Sequence, residues 1–160
     1  MTMSTIKFVY DDGGRGGAGY KGKAGDCGVR ALAIAARMPY QQAYDLVGAA
    51  CDRERPRRNG KRSSPRNGVF VETYRKVLDG MGAKWTPTMK IGFGCTMHLS
   101  ADELPAGRLI VRLSKHYCAV IDGVVHDTFD PNDREVWYTP DGAAVNAGPR
   151  CVYGYWTLPA

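Results

Sequence analysis

The sequence contains no apolar run that approaches the roughly 20 residues needed to cross a bilayer. Its first residues, 1–7, also lack the apolar stretch of a secretory signal. These two absences predict a cytoplasmic protein with no membrane partner, either bacterial or made by a phage in the host cytoplasm. The five cysteines are then expected to be thiols, and their odd number excludes complete pairing in any scheme.

The length and composition favour one globular domain. A chain of 160 residues with 44% hydrophobic and 24% charged residues can bury a sizeable core, and no repeat or boundary divides residues 1–160. Apolar spacing predicts a short N-terminal strand, then helices, then antiparallel strands, an order that indicates an α+β class. The predicted helices cover residues 27–38, 40–50 and 69–81, and the predicted strands cover 6–10, 108–113, 116–121, 124–129, 135–138 and 151–156.

Positive charge is concentrated in one segment. Residues 53–66 carry seven of the 22 lysines and arginines, inside a basic loop predicted over residues 52–67. The prolines, glycine and serines of this segment favour a solvated, mobile loop. Contact with an acidic partner or with nucleic acid is the alternative, although the segment lacks interleaved aromatic residues on which bases would stack.

A glycine-rich loop over residues 11–25 permits two interpretations. Gly17 to Lys23 has the spacing G-x-x-x-x-G-K of a phosphate-binding loop. Ala24, however, stands where a serine or threonine would ligate magnesium, and the later strands form hairpins rather than a parallel nucleotide-binding sheet. The phosphate-binding interpretation is therefore disfavoured.

The other interpretation makes this loop the lead-in to a nucleophile. Asp26 is a good N-cap residue, expected to accept a hydrogen bond from the first turn of the helix that follows. Cys27 then lies where unpaired N–H groups and the helix dipole favour an anion, which lowers the pKa of a thiol. Gly28 leaves the sulfur approachable, and main-chain N–H groups of the lead-in can surround an oxyanion.

A hairpin in the second half supplies the partners that such a cysteine needs. Asp122-Gly123 between two apolar runs predicts a two-residue turn. The resulting register brings His116 and Asp127 to one face of the sheet and His126 to the other. A carboxylate beside the imidazole would hold it for general acid and base work. Asp127 is favoured for that role, and Asp130, just beyond the strand, is the alternative.

Zinc binding is a competing role for several cysteines and histidines. Cys95 and His98 have the spacing Cys-x-x-His, and Cys118 with His116 or His126 would complete a ligand set. No second close pair of cysteines supports a usual structural zinc site. The sequence therefore predicts neither a metal nor an organic cofactor.

Papain-like cysteine peptidases are the family that these residues resemble. The resemblance lies in Gly25-Asp26-Cys27-Gly28-Val29-Arg30-Ala31-Leu32-Ala33, in His116-Tyr117, and in Asp127 or Asp130-Pro131. Within that group the segments are similar to bacteriocin-leader peptidases and ovarian-tumour deubiquitinases, and the whole chain looks like small phage and prophage proteins. The resemblance implies a helical part that carries the cysteine at the N-terminus of a central helix, packed on a C-terminal antiparallel sheet.

The same resemblance implies an activity. Cys27, His116 and Asp127 would form a triad that cleaves peptide, isopeptide or similar amide bonds in a peptide or protein substrate, with no cofactor. One position departs from the family pattern, because Lys21 stands where leader and papain-type enzymes carry the glutamine that donates to the oxyanion. Lys21 or main-chain N–H groups would then donate instead. The alternative is a catalytically degenerate binding module, a phage factor that engages a host protein or nucleic acid.

Overall fold

In the described part of the chain, residues 6–160 of a computed structural model, one strand is followed by three helices and then by the remaining strands, which confirms the predicted α+β class. The helices are α1 (Cys27–Ala36), α2 (Tyr40–Asp52) and α3 (Val71–Gly80). The longest has 13 residues, and no helix within residues 6–160 is long and apolar enough to cross a membrane. Of the segment 1–7 that lacks a signal pattern, residues 1–5 lie outside the described residues.

Six strands form the main sheet, and two short hairpins lie apart from it. In chain order the strands are β1 (Lys7–Tyr10), β2 (Lys84–Pro87), β3 (Met89–Lys90), β4 (Gly94–Cys95), β5 (Arg108–Leu113), β6 (His116–Ile121), β7 (Val124–Asp127), β8 (Trp137–Tyr138), β9 (Ala144–Val145) and β10 (Gly154–Thr157). The main sheet has the order β1-β7-β6-β5-β10-β2, and β3 pairs with β4 as β8 does with β9.

The sheet is mixed, so the predicted antiparallel sheet is wrong at one edge. Strand β1 runs parallel to β7, with Lys7 opposite Val124 and Tyr10 opposite Asp127. The other neighbours in the sheet are antiparallel. The reason is topological. Strand β1 precedes all the helices, and it pairs with the free edge of β7, the second strand of the β6–β7 hairpin.

Two apolar clusters pack against opposite faces of the sheet. Along β5 the side chains alternate, so that Ile110 joins the cluster under the helices while Leu109 and Val111 join the other cluster. This period of two is what a strand buried on both faces requires. The helical cluster also contains Trp156 of β10, and the opposite cluster contains Cys118 of β6.

Helix α1 is buried on nearly all sides. Residues 28–35 are all buried, as the continuous apolar run predicts, and the helix packs on β5, β6 and α2. It ends at Ala36 because Arg37 adopts a left-handed conformation with φ of 56°, and Pro39 follows two residues later. The buried face fixes where the first residue of the helix, Cys27, meets the sheet.

The β6–β7 hairpin has the predicted turn and register. Asp122 and Gly123 both have positive φ, 47° and 78°, as a two-residue type I′ turn requires. Ile121 pairs with Val124, and the ladder continues to Ala119 and His126. His116 therefore begins β6 and Asp127 ends β7, at the same end of the hairpin.

Cys95 and Cys151 form a disulfide, so the prediction of five thiols is wrong. Main-chain pairing brings the two segments together, because the N–H of Leu99 donates to Arg150 O and that of Val152 to Met97 O. The two Cα atoms consequently lie 5.9 Å apart, within the range that a disulfide spans. The remaining cysteines, Cys27, Cys51 and Cys118, are thiols.

Candidate active site

The side chains of Cys27, His116 and Asp127 meet where the N-terminus of α1 faces the end of the β6–β7 hairpin. The Cys27 thiol and the His116 imidazole line the same cleft, and hydrogen bonding and charge from His116 both lower the pKa of the thiol. Nε2 of His116 lies 2.6 Å from Oδ2 of Asp127. Because the carboxylate occupies Nε2, the other ring nitrogen, Nδ1, is left available to the sulfur. The three groups thus come together, with the imidazole bonded to the carboxylate and the thiol beside the imidazole.

Asp130, the alternative partner, does not reach the imidazole. Its carboxylate Oδ1 accepts a hydrogen bond of 2.9 Å from the N–H of Asn132, and its carbonyl accepts one from Asp133. It stabilises the turn after β7. His126, predicted to face away from the site, lies with its Nδ1 3.7 Å from Asp11.

The imidazole is confined on two sides. The ring of Phe129 lies 5.0 Å from that of His116, centroid to centroid, and His116 is only 9% exposed. Asp127 is also buried, and its second oxygen, Oδ1, accepts a hydrogen bond of 2.7 Å from the N–H of Thr128. Packing and hydrogen bonding therefore hold both groups in one orientation.

The electrostatics of the pair favour a thiolate beside an imidazolium. Burial opposes ionisation of Cys27, but the hydrogen bond and positive charge of His116, a main-chain hydrogen bond from Tyr117 and the charge of Arg30 outweigh it, so the pKa of the thiol is lowered. Burial likewise opposes the charged form of His116, whereas Asp127 and Cys27 favour it and raise the pKa of the imidazole to about 9. Each charge stabilises the other.

This coupling predicts the result of a histidine titration. Asp127→Asn removes the negative charge beside Nε2, so we expect the pKa of His116 to fall well below the value of about 9 in the unmodified protein. The measurement is NMR of ring-labelled histidine, with the resonance assigned through His116→Gln. Asp130→Asn is the matched control and should leave the titration unchanged. Equal effects of the two substitutions would contradict the assignment of Asp127 as the partner.

Asp26 precedes α1 as predicted, but its carboxylate does not cap the helix. No N–H of the first turn bonds to its side chain. Instead one oxygen, Oδ1, binds the guanidinium of Arg30, four residues along the helix. The other, Oδ2, accepts a hydrogen bond of 2.6 Å from the Tyr40 hydroxyl and pairs with Nε of Arg15 at 3.1 Å. Asp26 is 1% exposed, and these partners satisfy its buried charge.

Arg30 extends this network to the triad. Its Nη2 lies 3.4 Å from Oδ1 of Asp127, so one guanidinium bridges two buried carboxylates, Asp26 and Asp127. Sequence reasoning did not assign a role to Arg30, Arg15 or Tyr40. A signal was nevertheless present, because Arg30 is the one charged residue in the apolar run 27–36 and stands four positions after an aspartate.

The glycine-rich loop reaches the site through its main chain, and Lys21 does not line the cleft. The Lys21 side chain is exposed, and its carbonyl accepts hydrogen bonds from Arg15 and Arg66. Because α1 has no side-chain cap, the N–H groups of its first turn, including that of Cys27, are the donors best placed for an oxyanion.

The phosphate-binding interpretation of Gly17 to Lys23 would require a helix directly after the lysine. Helix α1 begins four residues after Lys23, so the structure does not have that arrangement.

Cys27 and His116 open into a cleft of about 900 Å³. Gly25 allows the basic loop to border it, because a Cβ at that position would lie 2.8 Å from the carbonyl oxygen of Asn67. The lining comes from four parts of the chain: Ala24, Gly25, Cys27 and Arg30 around the start of α1; Arg57, Lys61, Arg62 and 67–72; Arg112, Leu113 and 115–117; and Phe129.

The residues considered for zinc are dispersed or bonded elsewhere. Cys95 is in the disulfide, and His98 beside it has its Nδ1 3.3 Å from Glu103. Cys118 is buried in the cluster opposite the helices, where burial raises the pKa of its thiol well above the usual value. Within residues 6–160, no three histidine, cysteine or acidic side chains are grouped as metal ligands.

Comparisons with protein-family models, with curated proteins and with solved structures give no match to this chain. The papain-like assignment therefore rests on the residues and their geometry, and it stays a prediction.

Proposed function

We propose that this protein is a cysteine-dependent hydrolase of papain-like fold that cleaves peptide, isopeptide or similar amide bonds. The observation that carries the proposal is that the Cys27 thiol and the His116 imidazole, which is bonded to Asp127, line one cleft and perturb each other's pKa. A buried imidazole with a carboxylate on one nitrogen and a thiol on the other is the arrangement that activates a sulfur nucleophile.

In the first half of the reaction Cys27 becomes acylated. The thiolate of Cys27 attacks the carbonyl carbon, and the N–H groups at the start of α1 stabilise the oxyanion that forms. The imidazolium of His116 then donates its proton to the leaving amine as the carbon–nitrogen bond breaks. The products are a free amine and a thioester on Cys27, with His116 neutral.

In the second half water releases the acyl group. Neutral His116 removes a proton from water, the hydroxide attacks the thioester carbonyl, and the carbon–sulfur bond breaks. The carboxylic acid leaves, and Cys27 with His116 returns to the thiolate–imidazolium pair. Asp127 holds the ring in place through both halves and favours the protonated state.

Two linked measurements test this function. Limited alkylation with iodoacetamide at about pH 6 should modify Cys27 ahead of Cys51 and Cys118, because burial raises the pKa of the latter two thiols whereas that of Cys27 is lowered. A mixture of peptides and isopeptide-linked conjugates should then yield cleavage products by mass spectrometry with the unmodified protein and none with Cys27→Ala.

The outcomes separate the alternatives. Alkylation of Cys27 no faster than that of the two buried cysteines would overturn the activated thiolate and the enzyme with it. Selective alkylation without cleavage of any amide would favour the binding module that the sequence leaves open.

A further inference from the structure

The cleft beside Cys27 has a strongly asymmetric charge. Besides Arg30, which is committed to Asp26 and Asp127, it is lined by five cationic residues and one carboxylate. The cations are Arg57, Lys61 and Arg62 of the basic loop, and Arg112 and Lys115 around the β5–β6 turn; the carboxylate is Glu72.

Most of this positive charge has no counter-ion within residues 6–160. Arg57 stacks on Phe70 at 3.6 Å and pairs with Glu72 at 3.3 Å. Lys61 and Lys115 form no ion pair with the described residues, and both are exposed at the cleft. Several like charges around one cleft repel each other, which raises the free energy of the empty site. An anion that enters the cleft relieves this repulsion, so its binding is favoured.

The basic loop is anchored so that its charges stay at the cleft. Ser63 donates from its N–H to Glu54 at 2.7 Å and from its hydroxyl at 2.9 Å, and the same hydroxyl accepts from the N–H of Phe70. Ser64 and Gly68 exchange two main-chain hydrogen bonds. The irregular loop that the sequence predicts is therefore closed on itself and bonded to Phe70, just before α3, while Nη2 of Arg62 donates to the carbonyl of Cys51 in α2.

We infer that the substrate is an acidic peptide, with carboxylate side chains close to the bond that Cys27 attacks; this inference rests on the proposed function. Cations flank the nucleophile from both the basic loop and the β5–β6 turn, so acidic residues near the scissile bond meet positive charge in the cleft. The same positive field raises the rate of encounter with an anionic chain and repels a basic one.

The observations favour a peptide over a nucleic acid. A thiol that lines the cleft is suited to attack a carbonyl, which a peptide presents at every residue. The basic loop contributes no aromatic side chain for base stacking, and Phe70 is covered by Arg57 while Phe129 packs on His116.

Protection of Cys27 from iodoacetamide at about pH 6 tests this inference without requiring turnover. Three peptides of equal length, rich in glutamate, glutamine or lysine, are compared as protectants, together with a thymidylate oligonucleotide of equal length. The glutamate peptide should protect at a concentration about tenfold lower than the glutamine peptide, and the lysine peptide should not protect. The advantage should shrink as salt is added.

A charge-matched pair of variants localises the effect. Lys61→Gln with Lys115→Gln should weaken protection by the glutamate peptide about threefold to tenfold, as expected for two exposed charges. Arg55→Gln with Arg58→Gln removes two exposed charges of the same loop outside the cleft and should change protection less than twofold.

Equal protection by the glutamate and glutamine peptides, or equal effects of the two variant pairs, would overturn the inference. Stronger protection by the oligonucleotide would overturn it in favour of nucleic acid. The alkylation rate of Cys27 without any peptide reports separately on the proposed function, so failure of one is distinguishable from failure of the other.

Discussion

Replacing His116 with alanine is expected to slow the alkylation of Cys27 at about pH 6 by about a hundredfold or more. Burial raises the pKa of the Cys27 thiol, and the hydrogen bond and charge of His116 are the leading effects that lower it. Without the imidazole, burial dominates and the thiol stays protonated at this pH. Each unit by which the pKa rises above the working pH removes a factor of about ten in thiolate.

His126→Ala is the matched control for this experiment. It removes a histidine from the same hairpin, but its side chain faces Asp11 and does not line the cleft. Iodoacetamide consumption at Cys27, followed by peptide mapping at several times, should be the same as in the unmodified protein. Thermal unfolding of both variants shows whether the hairpin remains intact. A His116→Ala protein that folds and alkylates at the unmodified rate would contradict the thiolate–imidazolium pair.

The sequence predicted that Cys27, His116 and Asp127 would lie together because the information is local at each of these positions. An aspartate before a buried apolar run indicates the start of a helix, and Asp122-Gly123 sets the pairing of the hairpin. Counting residues outward from the turn gives the register of the two strands. His116 and Asp127 then fall at the same end of adjacent strands. The position of Cys27 relative to the hairpin depends in addition on how α1 packs on β6. The sequence predicted that contact because α1 is apolar on nearly every side and must therefore be buried.

The surroundings of the triad were not predictable in the same way. The carboxylate of Asp26 could either cap its own helix or bind Arg30, and contacts with residues distant in the sequence determine which of the two forms. Arg15 and Tyr40 reach the carboxylate from the glycine-rich loop and from α2, and no periodicity relates those positions. The Cys95–Cys151 disulfide was equally unpredictable from local patterns, because 56 residues separate the two cysteines and irregular main-chain pairing aligns them.

The network around Asp26 explains how two distant elements can hold a sulfur and an imidazole in register. Arg30 belongs to the same helix as Cys27, and it bonds the carboxylate that orients His116. The main-chain N–H of Asp11 also donates to the carbonyl of Asp127 at 2.9 Å. Helix α1 and the hairpin are thus joined at the site by the Arg30–Asp127 ion pair, in addition to apolar packing behind it, whereas the Asp11 bond extends the pairing of β1 with β7.

Asp26→Ala is therefore expected to lower the free energy of unfolding by about 3–5 kcal/mol, the usual cost of removing one partner from a buried ion pair. The substitution leaves Arg30, whose side chain is 10% exposed, with only the longer contact to Asp127, and it removes the acceptor of the Tyr40 hydroxyl and the carboxylate that faces Nε of Arg15. Because domains of this kind are stable by only about 5–15 kcal/mol, the loss should be plain in urea denaturation.

Two comparisons separate the buried charge from a general effect of losing an aspartate. Asp26→Asn keeps the volume and an acceptor for Tyr40 but removes the charge, so it should cost less than alanine and still more than a surface substitution. Asp79→Ala breaks the exposed pair with Arg75, 3.8 Å long and more than half exposed on both sides, and should cost less than about 1 kcal/mol. If Asp26→Ala cost no more than Asp79→Ala, the carboxylate would not be needed to hold Arg30, and the link between α1 and Asp127 would have to come from apolar packing alone.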